Sequence, residues 1–241
     1  CSTSSRKSTY NSCLCLWTDT VSSDCPVSRT QKHTHTYTKS YRVIYDYSTR
    51  KQVLLQGHVR PITSIVVSKD KRYIVTADSG DSSVVIIWDT YSYKPLETIY
   101  DTHVEGVCSL DLSPDCTVLV TLSKNAQPQE MKVWNVLNKK TSLSFSVKLS
   151  SKQHQVAFNP DDPSVIITTG LRGVMFHRRQ DDGTFTSVSA TNEIETKADE
   201  FLTSSAFLPN TSSAISGTTE GNIILWDGRS DDEVRTSTKK V

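Results

Sequence analysis

The sequence predicts an all-β fold built from repeated four-stranded units. From Tyr41 onward, short runs of β-branched and aromatic residues alternate with turn residues, which is typical of strands joined by tight turns. The runs recur in a fixed order of four, and an aromatic residue lies near the end of the third run of each unit. These aromatic residues are Tyr45, Trp88, Trp134, Phe176 and Trp226. Their spacings of 43, 46, 42 and 50 residues indicate a β-propeller, whose blades each contain four strands in about 40 to 45 residues.

The first two strands of each unit form a predicted hairpin. The first strand alternates apolar and polar residues and ends in Ser, Asn, Pro or Asp, which favour tight turns. A β-branched second strand follows at once. The predicted first strands are 62–70 (ITSIVVSKD), 107–115 (VCSLDLSPD), 154–162 (HQVAFNPDD) and 202–210 (LTSSAFLPN), and the second strands are 72–78, 117–123, 164–170 and 212–218.

The third strand of each unit ends in an aromatic and a polar residue, and a more polar fourth strand completes the unit. A ring buried between neighbouring blades would hold them together, and the polar residue after it is placed to accept backbone hydrogen bonds at the strand end. The predicted third strands are 42–46 (RVIYD), 84–89 (VVIIWD), 131–135 (MKVWN), 173–177 (GVMFH) and 223–227 (IILWD), and the fourth strands are 52–57, 95–100, 141–147 and 184–190. Residues 41–228 are therefore expected to hold about four blades and a partial one.

The two ends of the chain lack this pattern. Residues 1–40 are rich in Ser and Thr, and their weak periodicity predicts a weakly ordered arm. Residues 229–241 are polar and are expected to form a tail or the start of a further strand. The chain begins at Cys1 without an initiator Met, so we expect a fragment, a processed product or an incomplete gene model.

Residues 55–89, LQGHVRPITSIVVSKDKRYIVTADSGDSSVVIIWD, resemble a blade of the WD-repeat family. Gly57 and His58 precede the first strand, and Trp88 and Asp89 close the third. The resemblance implies a hydrogen-bonded set made of a His, a Ser or Thr, a turn Asp and the Trp. In this blade the set would be His58, Thr76, Trp88 and either Asp78 or Asp81.

Several blades depart from the family pattern. Ser82 occupies the usual turn position, six residues before Trp88. The next blade offers His103 but has Pro128 at its turn position, and the last blade has Glu220 where an Asp is expected. The residues expected to carry the structural blade signature are His58, Thr76, Trp88, Asp89, Trp134, Trp226 and Asp227.

Within the WD-repeat family, the sequence is similar to ciliary and flagellar WD-repeat proteins of the radial-spoke base. The similarity is carried in order by RVIYDYSTRKQVLLQGH, RYIVTADSG, VVIIWDTYSYKPLETIYDTHVEGV, VAFNPDDPSVIITTG and AISGTTEGNIILWD. It implies part of a larger propeller that acts as a non-enzymatic axonemal scaffold in motility, with radial-spoke-base and calmodulin-associated proteins as partners. The alternative is a cytosolic WD-repeat adaptor in another complex, such as the substrate receptor of a ubiquitin ligase.

Composition favours protein partners over nucleic acids or membranes. The formal net charge of the 241 residues is +1, which provides no strong field for binding nucleic acid or an acidic membrane surface. No apolar run approaches the roughly 20 residues of a membrane helix. The six cysteines lack the spacing of a disulfide framework, so we expect a reducing compartment, and the cytoplasm, cytoskeleton and axoneme fit this expectation.

The sequence contains no clear catalytic or cofactor motif. It has no Gly-rich phosphate loop and no Ser or Cys nucleophile with a defined companion. His58 follows a Gly in a predicted turn, where a structural role is expected, and the pairs Asp161-Asp162 and Asp181-Asp182 also lie in predicted turns. We therefore predict no enzymatic activity, no cofactor and no metal.

Three further motifs have simple structural interpretations. Zinc-competent side chains occur at Cys13, Cys15, Cys25, His33 and His35, but their spacing matches no standard zinc site and predicts an unordered arm. The basic cluster Arg172, His177, Arg178 and Arg179 is followed by two Asp residues and predicts a solvated hairpin. Asn210-Thr-Ser has the form of a glycosylation acceptor, but a turn is the expected role.

Overall fold

The structure, a computed structural model, describes residues 14–16, 41–46, 50–137, 141–191, 200–227 and 235–239. The predicted all-β class is confirmed, since the described residues form antiparallel sheets and no helix. The chain divides into two compact units, Cys1–Pro61 and Ile62–Val241. The prediction that residues 1–40 form a weakly ordered arm, with zinc-competent side chains but no metal site, falls almost wholly outside the described residues, which include only 14–16 of that segment.

The first unit contains one three-stranded sheet, sheet 1. Its strands are β1 (Leu14–Leu16), β2 (Tyr41–Asp46) and β3 (Lys51–Gln56), in that order across the sheet. Both pairings are antiparallel. Strands β2 and β3 correspond to the predicted third and fourth strands of the partial unit.

The second unit contains four sheets of four strands, each ordered as the chain runs. Sheet 2 contains β4 (Ile62–Val67), β5 (Tyr73–Asp78), β6 (Val85–Asp89) and β7 (Pro95–Ile99). Sheet 3 contains β8 (Val107–Leu112), β9 (Val118–Ser123), β10 (Glu130–Asn135) and β11 (Ser142–Lys148). Sheet 4 contains β12 (Gln153–Phe158), β13 (Val165–Gly170), β14 (Gly173–Arg179) and β15 (Phe185–Thr191). Sheet 5 contains β16 (Leu202–Phe207), β17 (Ala214–Thr218), β18 (Ile223–Asp227) and β19 (Arg235–Lys239).

Neighbouring sheets of the second unit pack face to face through apolar side chains. Val75 and Ile87 of sheet 2 share a buried cluster with Leu119 and Trp134 of sheet 3. A second cluster joins sheets 3 and 4, and a third joins sheets 4 and 5. In sheets 2, 3 and 4 the second strands β5, β9 and β13 are buried at nearly every position, whereas β17 and β18 of sheet 5 alternate in burial.

Hydrogen bonds from the backbone of one sheet to side chains of the preceding sheet connect the first strands of successive sheets. At the same strand position in sheets 2, 3 and 4, a polar side chain accepts a hydrogen bond from a backbone N–H of the next sheet. The pairs are Ser64 Oγ with Leu110 N at 3.2 Å, Ser109 Oγ with Val156 N at 3.1 Å, and Gln155 Oε1 with Ser205 N at 2.8 Å. These contacts place β4, β8, β12 and β16 side by side, as the inner strands of a β-propeller fragment would be.

Candidate functional site

In three sheets of the second unit, the ring N–H of a Trp donates a hydrogen bond to a buried hydroxyl group. In each case the hydroxyl group lies on the second strand and the ring on the third. The indole Nε1 atoms of Trp88, Trp134 and Trp226 donate to Thr76 Oγ1 at 2.8 Å, Thr121 Oγ1 at 3.0 Å and Ser216 Oγ at 2.7 Å. All six side chains are buried, so each bond satisfies a polar group that water cannot reach.

Strand register explains why these pairs form. Trp88 lies opposite Ile74, and its hydroxyl partner Thr76 is two residues further along β5. The same offset of two residues relates Trp134 to Thr121 and Trp226 to Ser216. Residues two apart on a strand share a face, so the ring can lie against the hydroxyl group without disturbing the backbone ladder.

Sheet 4 uses a His in place of the Trp, and this corrects the sequence analysis. His177, not Phe176, has the equivalent register, because His177 lies opposite Ile166 and contacts Thr168, two residues along. His177 Nε2 lies 3.0 Å from Thr168 Oγ1, and Nδ1 lies 2.8 Å from Ser187 Oγ. Phe176 is also buried, but it packs edge-on against Phe207, with ring centroids 6.2 Å apart.

The burial of His177 also overturns its assignment to a solvated basic cluster. The side chain is 0% exposed, and burial lowers its pKa to about 4. The ring is therefore neutral at physiological pH. Of the other cluster members, Arg172 and Arg179 are exposed, and Arg178 lies 3.9 Å from Asp162.

Sheet 3 adds a second ring to its pair. His103 Nε2 lies 3.0 Å from Thr121 Oγ1, so this one hydroxyl group contacts both His103 and Trp134. Burial, followed by the nearby charge of Lys132, lowers the pKa of His103 to about 4. Its buried Nδ1 atom has no hydrogen-bond partner within the described residues. The WD-repeat resemblance places a turn Asp in this set, but sheet 3 has Pro128 at that position.

The predicted signature residues of sheet 2 occupy different environments. His58 belongs to the first unit and is buried. Asp78 is buried at the end of β5 and accepts a hydrogen bond from Val84 N at 2.8 Å. Asp81 and Ser82 are exposed in the turn that follows. Of the two alternatives for the turn Asp, Asp78 is therefore the one with a buried carboxylate.

The acidic residues after the third-strand Trp residues stabilise turns and strand ends. Asp89 accepts hydrogen bonds from Ser92 Oγ at 2.7 Å and from the Tyr91 and Ser92 N–H groups at 3.4 and 3.3 Å. The Ser92 hydroxyl group is the main cause of the lowered pKa of Asp89. Asp227 accepts from Ser213 Oγ at 3.3 Å. These carboxylates act within the turn and strand-end structure.

The predicted acidic pairs and the Asn210 motif lie in turns, as expected. Asp161 Oδ2 accepts from Asn210 N at 2.6 Å, and Asn210 has a φ of 57°. Asp162 and Asp182 accept hydrogen bonds from the Ser164 and Thr184 N–H groups at 3.0 and 2.9 Å. Asp162 and Asp182 thus accept hydrogen bonds within their own turns, and Asp161 accepts one from a turn of sheet 5.

Sequence reasoning missed three buried or half-buried polar groups. Glu200 is buried and accepts hydrogen bonds from Thr218 Oγ1 and Asn222 Nδ2, both at 2.6 Å, whereas Glu220, at the position where the WD-repeat pattern has an Asp, is exposed. Gln129 connects sheets 3 and 4, accepting from Gln153 N at 2.7 Å and donating to Gln153 O at 2.8 Å. No local motif distinguishes these residues from other polar loop positions.

Asp111, on β8, is the third such group. Its Oδ2 accepts from Phe158 N of sheet 4 at 2.7 Å, and its Oδ1 accepts from Leu112 N at 2.9 Å. Burial raises the pKa of Asp111 to about 6, although the two N–H donors oppose this shift. The sequence marked Asp111 only as a polar residue of an alternating strand.

The described residues contain no group of three or more His, Cys, Asp or Glu side chains that could hold a metal ion. Within the same part of the chain, no helix has the length and apolar character needed to cross a membrane.

The fold defines an all-β protein of repeated antiparallel sheets, and in the four sheets of the second unit a ring–hydroxyl pair joins the second and third strands. More specifically, the chain belongs to the CFAP251 N-terminal domain family, whose model matches residues 16–241. It is 36% identical over 194 residues to "Cilia- and flagella-associated protein 251" of Tetrahymena thermophila, a match that covers 77% of this chain and 19% of the relative. Proteins of the same name from Chlamydomonas reinhardtii and Pongo abelii are 30% and 28% identical over 207 and 193 residues, again covering 77% of this chain. The matches cover 25% and 17% of those two relatives, so the chain spans a quarter or less of the curated relatives compared here.

Proposed function

We propose that this chain is part of a WD-repeat β-propeller that acts as a non-enzymatic protein-binding scaffold in the axoneme of a cilium or flagellum. The observation that carries the proposal is the family match over residues 16–241, together with relatives named cilia- and flagella-associated protein 251. The names support a ciliary or flagellar role. The radial-spoke base as the location, and radial-spoke-base and calmodulin-associated proteins as partners, are the finer parts of the proposal.

The geometry of the second unit supports the propeller. Four sequential four-stranded sheets pack face to face, and their first strands lie side by side. A ring–hydroxyl pair recurs in each of these sheets. Repeats of this kind present extended loop surfaces on a rigid frame, which suits a protein that holds other proteins in place.

The chemistry of the buried polar groups supports a structural rather than a catalytic role. His103 and His177 contact Thr121 and Thr168 with their ring nitrogens, and burial keeps both imidazoles neutral through a low pKa. A general base must reach the proton that it removes from a substrate. These two imidazoles instead lie in packed interfaces between strands.

Rescue of a ciliated cell that lacks the whole family protein tests the proposal. The tagged whole protein should localise to isolated axonemes and restore motility. Within it, Val133→Asp places a charge at a side chain that is 2% exposed between sheets 3 and 4 and should remove the protein from axonemes. Lys148→Asp introduces the same residue at an exposed position of sheet 3 and should leave localisation intact.

Two outcomes would contradict the proposal. A diffuse cytosolic signal that is absent from isolated axonemes would instead support a cytosolic WD-repeat adaptor in another complex. Axonemal retention of the Val133→Asp variant, with sheet 3 shown to be unfolded, would mean that this segment does not anchor the protein. Proximity labelling with the wild-type protein then tests the partners, because radial-spoke-base proteins should be enriched.

A further inference from the structure

One end of sheet 2 presents an exposed surface of aromatic and cationic side chains, which we call the Tyr–Arg platform: Lys71, Arg72, Tyr91, Tyr93 and Lys94. The β4–β5 turn supplies the first two residues, and the β6–β7 turn supplies the other three. Tyr91 is 80% exposed and Tyr93 is 37% exposed, and the three cations are also exposed. Tyr and Arg are enriched where proteins bind one another.

Thr90 holds the two turns of the platform together. Its hydroxyl group lies 2.9 Å from the carbonyl oxygen of Lys71 and 3.0 Å from that of Arg72. Its backbone N–H also donates to the Arg72 carbonyl group at 3.0 Å. The backbone of the platform is therefore ordered before a partner arrives, which reduces the entropy lost on binding.

Arg72 is held by aromatic rings. Its guanidinium carbon lies 5.8 Å from the ring centroid of Tyr73 and 5.8 Å from that of Tyr91. Tyr73 is half-buried and packs against the core between sheets 2 and 3. A guanidinium group positioned over aromatic faces can still direct its in-plane N–H groups to a carboxylate, which it binds in bidentate fashion.

The two carboxylates beside the platform are hydrogen-bonded within their own turns, and the nearby charge of Arg72 contributes less to their lowered pKa values than those hydrogen bonds do. Asp70 accepts hydrogen bonds from Ser68 Oγ and from Arg72 N, and the Ser68 hydroxyl group is the main cause of its lowered pKa. Asp89 is held in the same way by Ser92. Among the described residues, no cation of the platform forms an ion pair within 4.0 Å. The exposed cationic side chains are thus available to a negatively charged partner.

We propose that the Tyr–Arg platform binds an acidic segment, rich in Asp or Glu, of a protein partner. A partner carboxylate pairs with the guanidinium group of Arg72, the two lysines provide long-range attraction, and the Tyr rings pack against the methylene groups of the segment. This inference rests on the proposed scaffold function and deepens it by naming a surface and a class of partner.

Titration of the purified chain with a short poly-glutamate peptide at low salt tests the inference. We expect saturable binding that weakens as salt is added, because the charges are exposed. Arg72→Ala should weaken binding about tenfold, since it removes a charge-assisted bidentate pair. Tyr91→Ala should weaken it about threefold and Tyr91→Phe should not, because only the ring is required. Arg179→Ala removes the same charge from an exposed residue of sheet 4 and should change binding less than about twofold.

Three results would overturn the inference: no saturable binding, equal losses from Arg72→Ala and Arg179→Ala, or preferential binding to phosphatidylserine vesicles over the peptide. Circular dichroism and thermal unfolding confirm that each variant is folded before binding is compared. If the platform binds no acidic partner, the Arg72→Ala variant should still localise to axonemes in ciliated cells. Failure of the scaffold proposal would remove localisation from the wild-type protein itself, so the two can be distinguished.

Discussion

A Thr121→Val substitution should destabilise the chain about twice as much as the same substitution at Thr168. Val has nearly the shape of Thr, so the change removes a hydroxyl group and leaves little cavity. At Thr121 it leaves two buried ring nitrogens without a partner, those of Trp134 and His103, each 3.0 Å away in the native chain. At Thr168 it leaves only Nε2 of His177, since Nδ1 keeps its contact with Ser187.

The magnitude follows from the number of polar groups left unsatisfied. Each buried donor or acceptor that loses its partner costs about 1–3 kcal/mol. We therefore expect a loss in unfolding free energy of about 4 kcal/mol for Thr121→Val and about 2 kcal/mol for Thr168→Val. Urea unfolding at neutral pH, followed by far-ultraviolet circular dichroism, measures both values.

A double-mutant cycle with Trp134→Phe separates the two rings that share the hydroxyl group. Phe removes the indole N–H donor, so Thr121→Val should cost about half as much in that background, a coupling of about 1–2 kcal/mol. Equal destabilisation by Thr121→Val and Thr168→Val, or a coupling indistinguishable from zero, would refute the idea that the shared hydroxyl group satisfies two buried rings.

Three other predictions use the titrating groups and the glycines. The pKa values of His103 and His177 are lowered from 6.5 to about 4, so the unfolded chain binds more protons than the folded chain between these pH values. The unfolding free energy should therefore fall by about 3 kcal/mol per His as the pH decreases through this window. Unfolding at several pH values measures this loss. Asp111, whose pKa is raised from 3.8 to about 6, opposes this trend. Asp111→Asn should therefore make the acid loss of stability steeper, and a pH profile parallel to that of the unsubstituted chain would contradict this. Gly106 has a φ of +96°, and an added Cβ would lie 2.7 Å from backbone atoms of Ser79 and Gly80, just after β5, whereas Gly183, at +84°, has nothing within 4 Å of such a Cβ. Thermal unfolding should therefore show a loss of stability of about 3 kcal/mol or more for Gly106→Ala and of about 1 kcal/mol for Gly183→Ala. Equal losses would show that the positive φ alone, and not the close contact at Gly106, determines the cost of an added Cβ.

The strand order was predictable because each unit combines alternating residues, turn chemistry and a fixed period. The segments predicted around Ile62, Arg72 and Val84 correspond to β4, β5 and β6. Local pattern suffices for such assignments, since period-two alternation and turn residues are properties of a short window. The side-chain contacts between strands are not properties of a short window, so local pattern does not predict them.

The assignment of Phe176 shows where residue type misleads. An aromatic residue was expected in the third strand of every unit, and Phe176 satisfied that expectation. The register instead places His177 in the equivalent position, because the contact with Thr168 requires a ring nitrogen and Phe has none. Hydrophobicity identified the strand, but hydrogen-bonding capacity determined which residue contacts the hydroxyl group.

The connections between sheets depend on contacts that no short window contains. Ser64 accepts a hydrogen bond from a backbone group 46 residues away, and Asp111 from one 47 residues away. A polar residue on an alternating strand would ordinarily be assigned to solvent. Only the packing of one first strand beside the next converts these side chains into links between sheets.

The ring–hydroxyl pairs also fix the register between the second and third strands, which apolar packing alone does not determine. A slip of one residue between the second and third strands would move every side chain of the slipped strand to the opposite face, away from its packing partners, and is disfavoured. A slip of two residues keeps each side chain on its face, so the nearly continuous apolar strands β5 and β6 barely discriminate against it. Such a slip would move Trp88 away from Thr76 and leave a buried N–H group unpaired, at a cost of about 1–3 kcal/mol in each sheet. The recurrence of one ring nitrogen and one hydroxyl group at the same register in all four sheets of the second unit therefore selects the native pairing, and His177 can replace a Trp because the requirement is a ring nitrogen at the correct position.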